Sequence, residues 1–303
     1  MTAKFLTQDP LTSSKRKLWL AAIKPPMYSV AVIPISVGTA VAYAQTHLFN
    51  PTIFLTFLGS AILIIAWLNL SNDVFDSETG IDKNKAHSIV NLTGRKTLIF
   101  WLSNILLGIG ILGIIAIAWW QQDLTVVGIV LLCCALGYTY QGPPFRFGYQ
   151  GLGEIICFIC FGPLAIAAAY YSQSYTFSLT ALAASVIIGI STSIILFCSH
   201  FHQVEDDLAA GKRSPIVRLG TARGFQVLTG FTSSLFLLTV AFVLWGVFSI
   251  WTLLILASFP FAYQLVRHVQ QYHDRPSQVS NCKFIAVNLH FFSGILLALG
   301  FIV

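Results

Sequence analysis

Residues 51–83 read PTIFLTFLGSAILIIAWLNLSNDVFDSETGIDK. The first part, Pro51 to Leu70, carries no charge. It is long enough to cross ~30 Å of hydrocarbon as a helix rising ~1.5 Å per residue. Asp73, Asp76, Glu78 and Asp82 then follow in quick succession, with Gly80 and Lys83 among them. A membrane helix that ends in carboxylates is costly unless the carboxylates have work to do.

Eight more apolar stretches resemble the first half of that segment. They run Pro26–Ala44, Thr97–Trp120, Leu124–Tyr140, Gly151–Tyr171, Phe177–Ser199, Phe225–Trp245, Phe248–Val266 and Phe284–Val303. None alternates polar with apolar residues, which excludes a transmembrane barrel. With 56% hydrophobic and 9% charged residues in 303, the chain reads as an all-α membrane protein of nine transmembrane helices in one bundle. Residues 1–25 are a cytoplasmic N-terminal segment and 26–303 a single transmembrane domain. The first 24 residues are polar and basic, unlike a cleavable signal or an organelle transit peptide.

All 17 Lys and Arg precede the first stretch or follow the second, fourth, sixth or eighth. The positive-inside rule then places the N-terminus and those loops in the cytoplasm and the C-terminus on the far side. The net charge of +6 is a topology signal and not a nucleic-acid footprint. The six cysteines lie mainly in apolar runs without metal-ligand spacing, and Cys157 and Cys160 read as small packing residues.

A second acidic segment follows the sixth stretch: His202-Gln203-Val-Glu205-Asp206-Asp207-Leu-Ala-Ala-Gly211-Lys212-Arg213. Seven of the chain's 11 acidic residues lie in the two segments. They echo each other, since Asp76-xxx-Gly80 and Asp207-xxx-Gly211 are each followed by lysine, which hints at a duplicated half. On a helix, Asn72 and Asp76 face the same way, and Asn69, Asp73 and Asp76 share a side. Mg²⁺ takes one or two carboxylates and completes its shell with water and phosphate oxygens. Two facing acidic helix ends therefore suit a pair of Mg²⁺ ions on a diphosphate. Lys83, Lys85, Arg146, Lys212 and Arg213 are placed to neutralise the remaining charge. Glu78, Glu205, Arg95 and Arg223 read as ordinary charges at solvated helix ends. His200 and His202 point to different helix faces and read as polar lining of a pocket.

At these motifs the chain resembles the UbiA superfamily of intramembrane aromatic prenyltransferases. The matching strings are Asn72-Asp73-xx-Asp76-xxx-Gly80-x-Asp82 and Asp207-xx-Ala210-Gly211-Lys212-Arg213 leading to Val217-Arg218-Leu219-Gly220. Tyr138-Thr-Tyr140-Gln-Gly-Pro-Pro144 through Gly151-Leu-Gly153-Glu154 fits as well, as does Ile23-Lys24-Pro25. Glycine at position 80 looks like the naphthoate branch, which makes menaquinone or phylloquinone. Gln203 and Ser199 stand where most of that branch carries aspartate and asparagine. The resulting string looks like the cyanobacterial and plastid form that attaches a phytyl chain.

The resemblance implies Mg²⁺-dependent transfer of a phytyl group from its diphosphate to a 2-carboxylated naphthalene ring, with loss of CO₂. It implies metal ligands among Asn72, Asp76 and Asp207, with Glu205 or Asp206 standing in for the aspartate missing at Gln203. Asp73 and Asp82 are secondary candidates. Lys24, Tyr140, Arg146, Lys212 and Arg213 are candidate phosphate contacts, and Asn69, Lys83, His202 and Gln203 candidate substrate contacts. The membrane is expected to be a cyanobacterial plasma or thylakoid membrane, with the active site facing the cytoplasm. Homogentisate, 4-hydroxybenzoate or a chlorophyllide are alternative acceptors, and a longer polyprenyl chain is an alternative donor. A transporter is disfavoured, because the acids lie in loops and the helix centres carry almost no ionisable groups.

Overall fold

A computed structural model describes Trp19 and residues 25–81 and 88–303 of the chain. The expectations for Lys24, Asp82, Lys83 and Lys85 fall outside the described residues. Within them there is no strand. Eight helices are long and apolar enough to cross a membrane: α1 (Pro25–Thr46), α2 (Pro51–Thr79), α3 (Lys96–Gln121), α5 (Gly153–Ser174), α6 (Leu179–His202), α7 (Thr221–Leu244), α8 (Ile250–Tyr272) and α9 (Pro276–Ile302). The remaining apolar helix, α4 (Thr125–Gln141), has 17 residues. At ~1.5 Å per residue it is somewhat short of the full hydrocarbon thickness. The nine expected segments are thus all helices, one of them stubby.

Local chemistry sets the helix ends. Asn50 caps α2 by accepting a hydrogen bond from the Ile53 amide at 3.1 Å, and Pro51 occupies the first turn. α2 then continues without a break past its apolar part to Thr79, where Gly80 ends it at φ 77°. This continuity places Asn72, Asp73 and Asp76 on the last turns of the same long helix. Ser178 caps α6 through the amides of Thr180 and Ala181.

Each helix packs on its chain neighbour, and α9 returns to α1, closing a ring. α1 also crosses to α5 and α6, and α6 to α9. α6 is accordingly the most enclosed helix, with 78% of its apolar window buried, against 22% for the peripheral α3. Small residues permit the close crossings. Gly162 on α5 faces Gly189 on α6, where an added Cβ would lie 2.9 Å from the Gly189 Cα. α5 widens into a π-turn over Cys160–Leu164, around Pro163, whose ring nitrogen cannot donate.

Every Lys and Arg among the described residues lies at one end of the bundle. At the other end Trp119, Trp120, Trp245 and Trp251 are exposed, as expected of rings at a membrane interface. The loops at the basic end are the longer ones, and they hold the candidate site.

Candidate active site

The last turns of α2 do three different things. Asn69 and Asn72 line a cavity of about 240 Å³ that opens between α2, α4, α5 and α6. Asp76, 9% exposed, accepts hydrogen bonds from the Tyr149 hydroxyl at 3.2 Å and the Gln141 amide at 3.3 Å. Both donors are neutral, so they orient the carboxylate without cancelling its charge. Asp73, 1% exposed, accepts from the backbone amide of Ile89 at 3.0 Å. Ile89 opens the short helix Ile89–Thr93, so this contact satisfies one of the amides left without a partner at a helix start. Asp73, expected to be catalytic, therefore has a structural task beside the site.

The loop between α4 and α5 closes over Asp76. Its turn Phe147–Gln150 carries Tyr149, whose hydroxyl also lies 2.6 Å from Thr79 Oγ1. Burial and the negative charge of Asp76 raise the Tyr149 pKa, so this phenol is held protonated. Arg146 precedes that turn in a left-handed conformation, φ 46°. Its guanidinium pairs with Glu78 at 3.3 Å, and Lys96 reaches the same carboxylate at 2.8 Å. These partly exposed pairs contribute little energy but fix the outer rim. Glu78 is the charge-pair residue its sequence setting suggests, and Arg146 leans on it.

The second acidic segment is divided by burial. Glu205 and Asp206 are exposed, whereas Asp207, the next residue on the short helix Val204–Ala209, is 0% exposed. Its Oδ2 lies 3.2 Å from His200 Nδ1 and its Oδ1 3.4 Å from Lys212 Nζ. Burial alone would push the Asp207 pKa up. The His200 hydrogen bond, the Lys212 charge and the Ser214 hydroxyl outweigh it, and the pKa is lowered. The other ring nitrogen of His200, Nε2, faces Glu154 Oε1 at 3.3 Å, so the imidazole joins two carboxylates from different helices. Lys212 Nζ stands 5.9 Å above the Tyr149 ring, and the Arg213 amide donates to the Tyr149 carbonyl at 2.8 Å. Those contacts tie the second acidic loop to the lid over Asp76. The Arg213 side chain is exposed, and His202 and Gln203 are half-buried in the turn after α6.

Among the described residues no three His, Cys, Asp or Glu side chains converge as a metal-holding group. Asn72 and Asp76 lie on α2, and Asp206 and Asp207 lie on the short helix Val204–Ala209 of the second loop. Asp207 is already neutralised by Lys212, and successive residues on a helix diverge, which turns Asp206 outward. On α2, Asn72 lines the cavity and Asp76 follows one turn later, an oxygen-bearing pair. It fits a hard cation that keeps water or phosphate for the rest of its shell.

Tyr140 marks where these parts meet. It lines the cavity, and Glu154, Asp76 and Asp207 all lie near enough for their fields to act on its phenol. Behind it the wall is apolar and thiol-rich, with Cys133, Cys134, Cys157 and Cys160 among aliphatic side chains. Cys133 and Cys160 each donate weakly to the other's carbonyl, at 3.6 and 3.7 Å. A second apolar chamber shares part of that wall and continues the space toward Ile114, Ile129 and Ala168.

Sequence reading missed His200 as a bridge, Glu154, Gln141 and Tyr149 as partners, and Lys283 in the cavity wall. Only the buried settings of Glu154 and Gln141 in apolar surroundings could have flagged them.

Comparison with known proteins agrees with this architecture. The model of the UbiA prenyltransferase family matches residues 31–295. The 2-carboxy-1,4-naphthoquinone phytyltransferase of Synechocystis is 66% identical over 94% of this chain and 93% of its own length. The chloroplastic 2-carboxy-1,4-naphthoquinone phytyltransferase of Arabidopsis thaliana is 41% identical over 95% of this chain and 78% of its own. A solved UbiA homolog from Archaeoglobus fulgidus, bound to GPP and Mg²⁺, shares the fold with a TM-score of 0.59. The identity is 14%, and the match covers 92% of this chain and 99% of that one.

Proposed function

Because the chain belongs to the UbiA prenyltransferase family, we propose that it transfers a phytyl group from phytyl diphosphate to a 2-carboxylated 1,4-naphthoquinone or its reduced form. The product is demethylphylloquinone from the quinone, or its quinol from the reduced acceptor, a precursor of phylloquinone. The observation that carries this reading is the 66% identity with the Synechocystis phytyltransferase, which extends over nearly all of both chains. The geometry supports it, since an apolar cavity ends at an oxygen-rich mouth beside paired lysine and carboxylates. Residues 26–303 act as one catalytic domain, with the mouth on the cytoplasmic side of a plasma or thylakoid membrane.

Asn72 and Asp76 would hold Mg²⁺ in this reading, which has two ions. The bound ion supplies positive charge to a diphosphate leaving group. Lys212 and Arg213 face the same anion from the second loop, and Arg146 from the rim. Tyr149 and Gln141 keep the Asp76 carboxylate in one orientation. The apolar wall around Cys134, Ile65 and Phe161 excludes water from an allylic cation. In the reaction the allylic C–O bond breaks and its electron pair leaves with diphosphate. The new C–C bond forms at the ring carbon that carries the carboxylate. The electron pair of the C–CO₂ bond then returns to the ring as CO₂ departs.

The test is a membrane assay with Mg²⁺, phytyl diphosphate and the carboxynaphthoquinone, oxidised and reduced, with products read by mass. A decarboxylated, phytylated naphthoquinone that disappears with EDTA is expected. Product formed only from homogentisate or 4-hydroxybenzoate would overturn the acceptor, and product formed only from a longer polyprenyl diphosphate would overturn the donor.

A further inference from the structure

One stripe of α2 runs the length of both chambers. Phe57, Ala61, Ile65, Leu68, Asn69 and Asn72 recur at helical spacing and so share one face. Asn69 and Asn72 line only the first chamber, Ile65 both, and Ala61 and Phe57 only the second. The stripe is polar toward the basic end of the bundle and apolar from Leu68 onward. Fifteen positions separate Asn72 from Phe57, which is ~22 Å along an unbroken helix. On α5 the same interval separates Gly153, in the first chamber, from Ala168, in the second. Among the described residues around the second chamber none is charged, and apart from three thiols all are apolar. Phe57, Ile114 and Ala168 form its floor, six or seven residues from the helix ends at Pro51, Gln121 and Ser174. They are 3%, 1% and 1% exposed, and one turn further on Ile53 and Ile117 are packed in the same cluster.

A chain whose diphosphate is held at Asn72 and Asp76 has this apolar depth before it. Phytyl carries sixteen carbons along its main chain, like a lipid acyl chain, which spans half of a ~30 Å bilayer core. Such a chain fits within ~22 Å, whereas the thirty-two main-chain carbons of an octaprenyl group do not. We propose that the second chamber holds the end of the donor chain. Phe57, Ile114 and Ala168, as its floor, then set a length limit near twenty carbons. This rests on the phytyl donor proposed above. Lipid tails are as apolar as the chamber, so a chain gains little by leaving the bilayer for it. Length is therefore read by exclusion, because a longer chain has to displace side chains that are already packed.

The test uses the full-length protein in lipid vesicles with geranyl, farnesyl, phytyl and octaprenyl diphosphate. The wild type is expected to use the first three with similar kcat/KM and octaprenyl diphosphate about 10-fold or more less well. Ala61→Phe puts a ring one turn from Phe57, and Ala165→Leu enlarges the wall from α5. Both alanines are half-buried and line only the second chamber. Each variant is expected to lower kcat/KM for phytyl diphosphate about 5- to 150-fold, the range for overpacking of this size. Geranyl diphosphate should be used as before, which also reports that the variant is folded. Binding is read without turnover as thermal stabilisation by the matching allylic thiolodiphosphates, which do not ionise readily, and should follow the same order. Equal losses with geranyl and phytyl chains in both variants would refute the chamber as the tail site. Octaprenyl transfer by the wild type at the phytyl rate would refute the floor as a length limit and leave the phytyl reading intact. No phytyl transfer by the wild type to any acceptor would overturn that reading instead, and the stabilisation series would still judge the chamber.

Discussion

The Tyr149 hydroxyl donates to Asp76 Oδ1 at 3.2 Å, across 73 positions of chain. This bond joins the lid between α4 and α5 to the last turns of α2, and it orients the Asp76 carboxylate.

Tyr149→Phe removes that donor and keeps the ring. A hydrogen bond to a charged group is worth ~1.5–3 kcal/mol, so turnover should fall by about one order of magnitude or more, with little loss of thermal stability. The raised pKa keeps the phenol a donor as pH rises past its ordinary value of about 10, and the bond is lost only above that. Wild type and variant should therefore show pH–rate profiles of the same shape through pH 9. A new alkaline limb appearing only in the wild type below that would contradict the assignment.

Asp76→Asn should cost turnover by orders of magnitude while leaving the bundle folded, because an amide cannot supply the charge a hard cation needs. Magnesium titration of residual activity should shift to higher concentration, and EDTA should silence the wild type reversibly. A folded variant with near-normal activity would sink the metal role of this residue.

Asp207→Asn should destabilise the protein, since it leaves Lys212, 5% exposed, without its counter-charge. Removing one partner of a buried pair typically costs about 3–5 kcal/mol. The lowered Asp207 pKa means that this stabilisation is present above the ordinary carboxylate value of about 4 and is lost as pH falls through the folded value. Melting curves should show the wild type losing stability below pH 4, with the variant lower at pH 7 and flatter in acid. Equal melting temperatures at pH 7 would refute the pairing.

Gly38→Leu should damage folding at the α1–α5 crossing. A Cβ at Gly38 would lie 2.7 Å from Ala169 Cβ and 2.9 Å from the Ile166 carbonyl oxygen. Overpacking of this kind costs about 1–3 kcal/mol or more. Gly128→Ala on α4, where a Cβ would meet nothing within 4 Å, is the matched control and should melt like the wild type.

Part of the site was legible in the residues and part was not. Asn72 and Asp76 were marked by their four-residue spacing on a helix; Asn72 lines the cavity, and Asp76 is held by Tyr149 and Gln141. Asp73 was marked by the same motif, yet its carboxylate caps the helix that begins at Ile89. Asp207 stood out as an acid, but its burial against His200 and Lys212 did not, because neither contact follows from periodicity. Glu154 sits in a run that reads as an ordinary helix start. Its meeting with His200 depends on how α5 leans on α6.

The sequence alone determined the number of membrane-crossing segments, the end of the bundle that carries charge, and the two acidic loops. Each of these is a local property, since hydropathy over about 20 residues decides insertion and the lysines and arginines between spans decide sidedness. Tertiary structure alone decided which carboxylate is held by Tyr149 and Gln141, which is spent on a helix cap, which is neutralised, and which side chains line one cavity. Those outcomes join residues such as Gln141 and Asp76, 65 positions apart. They follow from the close crossing of helices at small residues and the desolvation of buried charge, neither of which is written in any one segment.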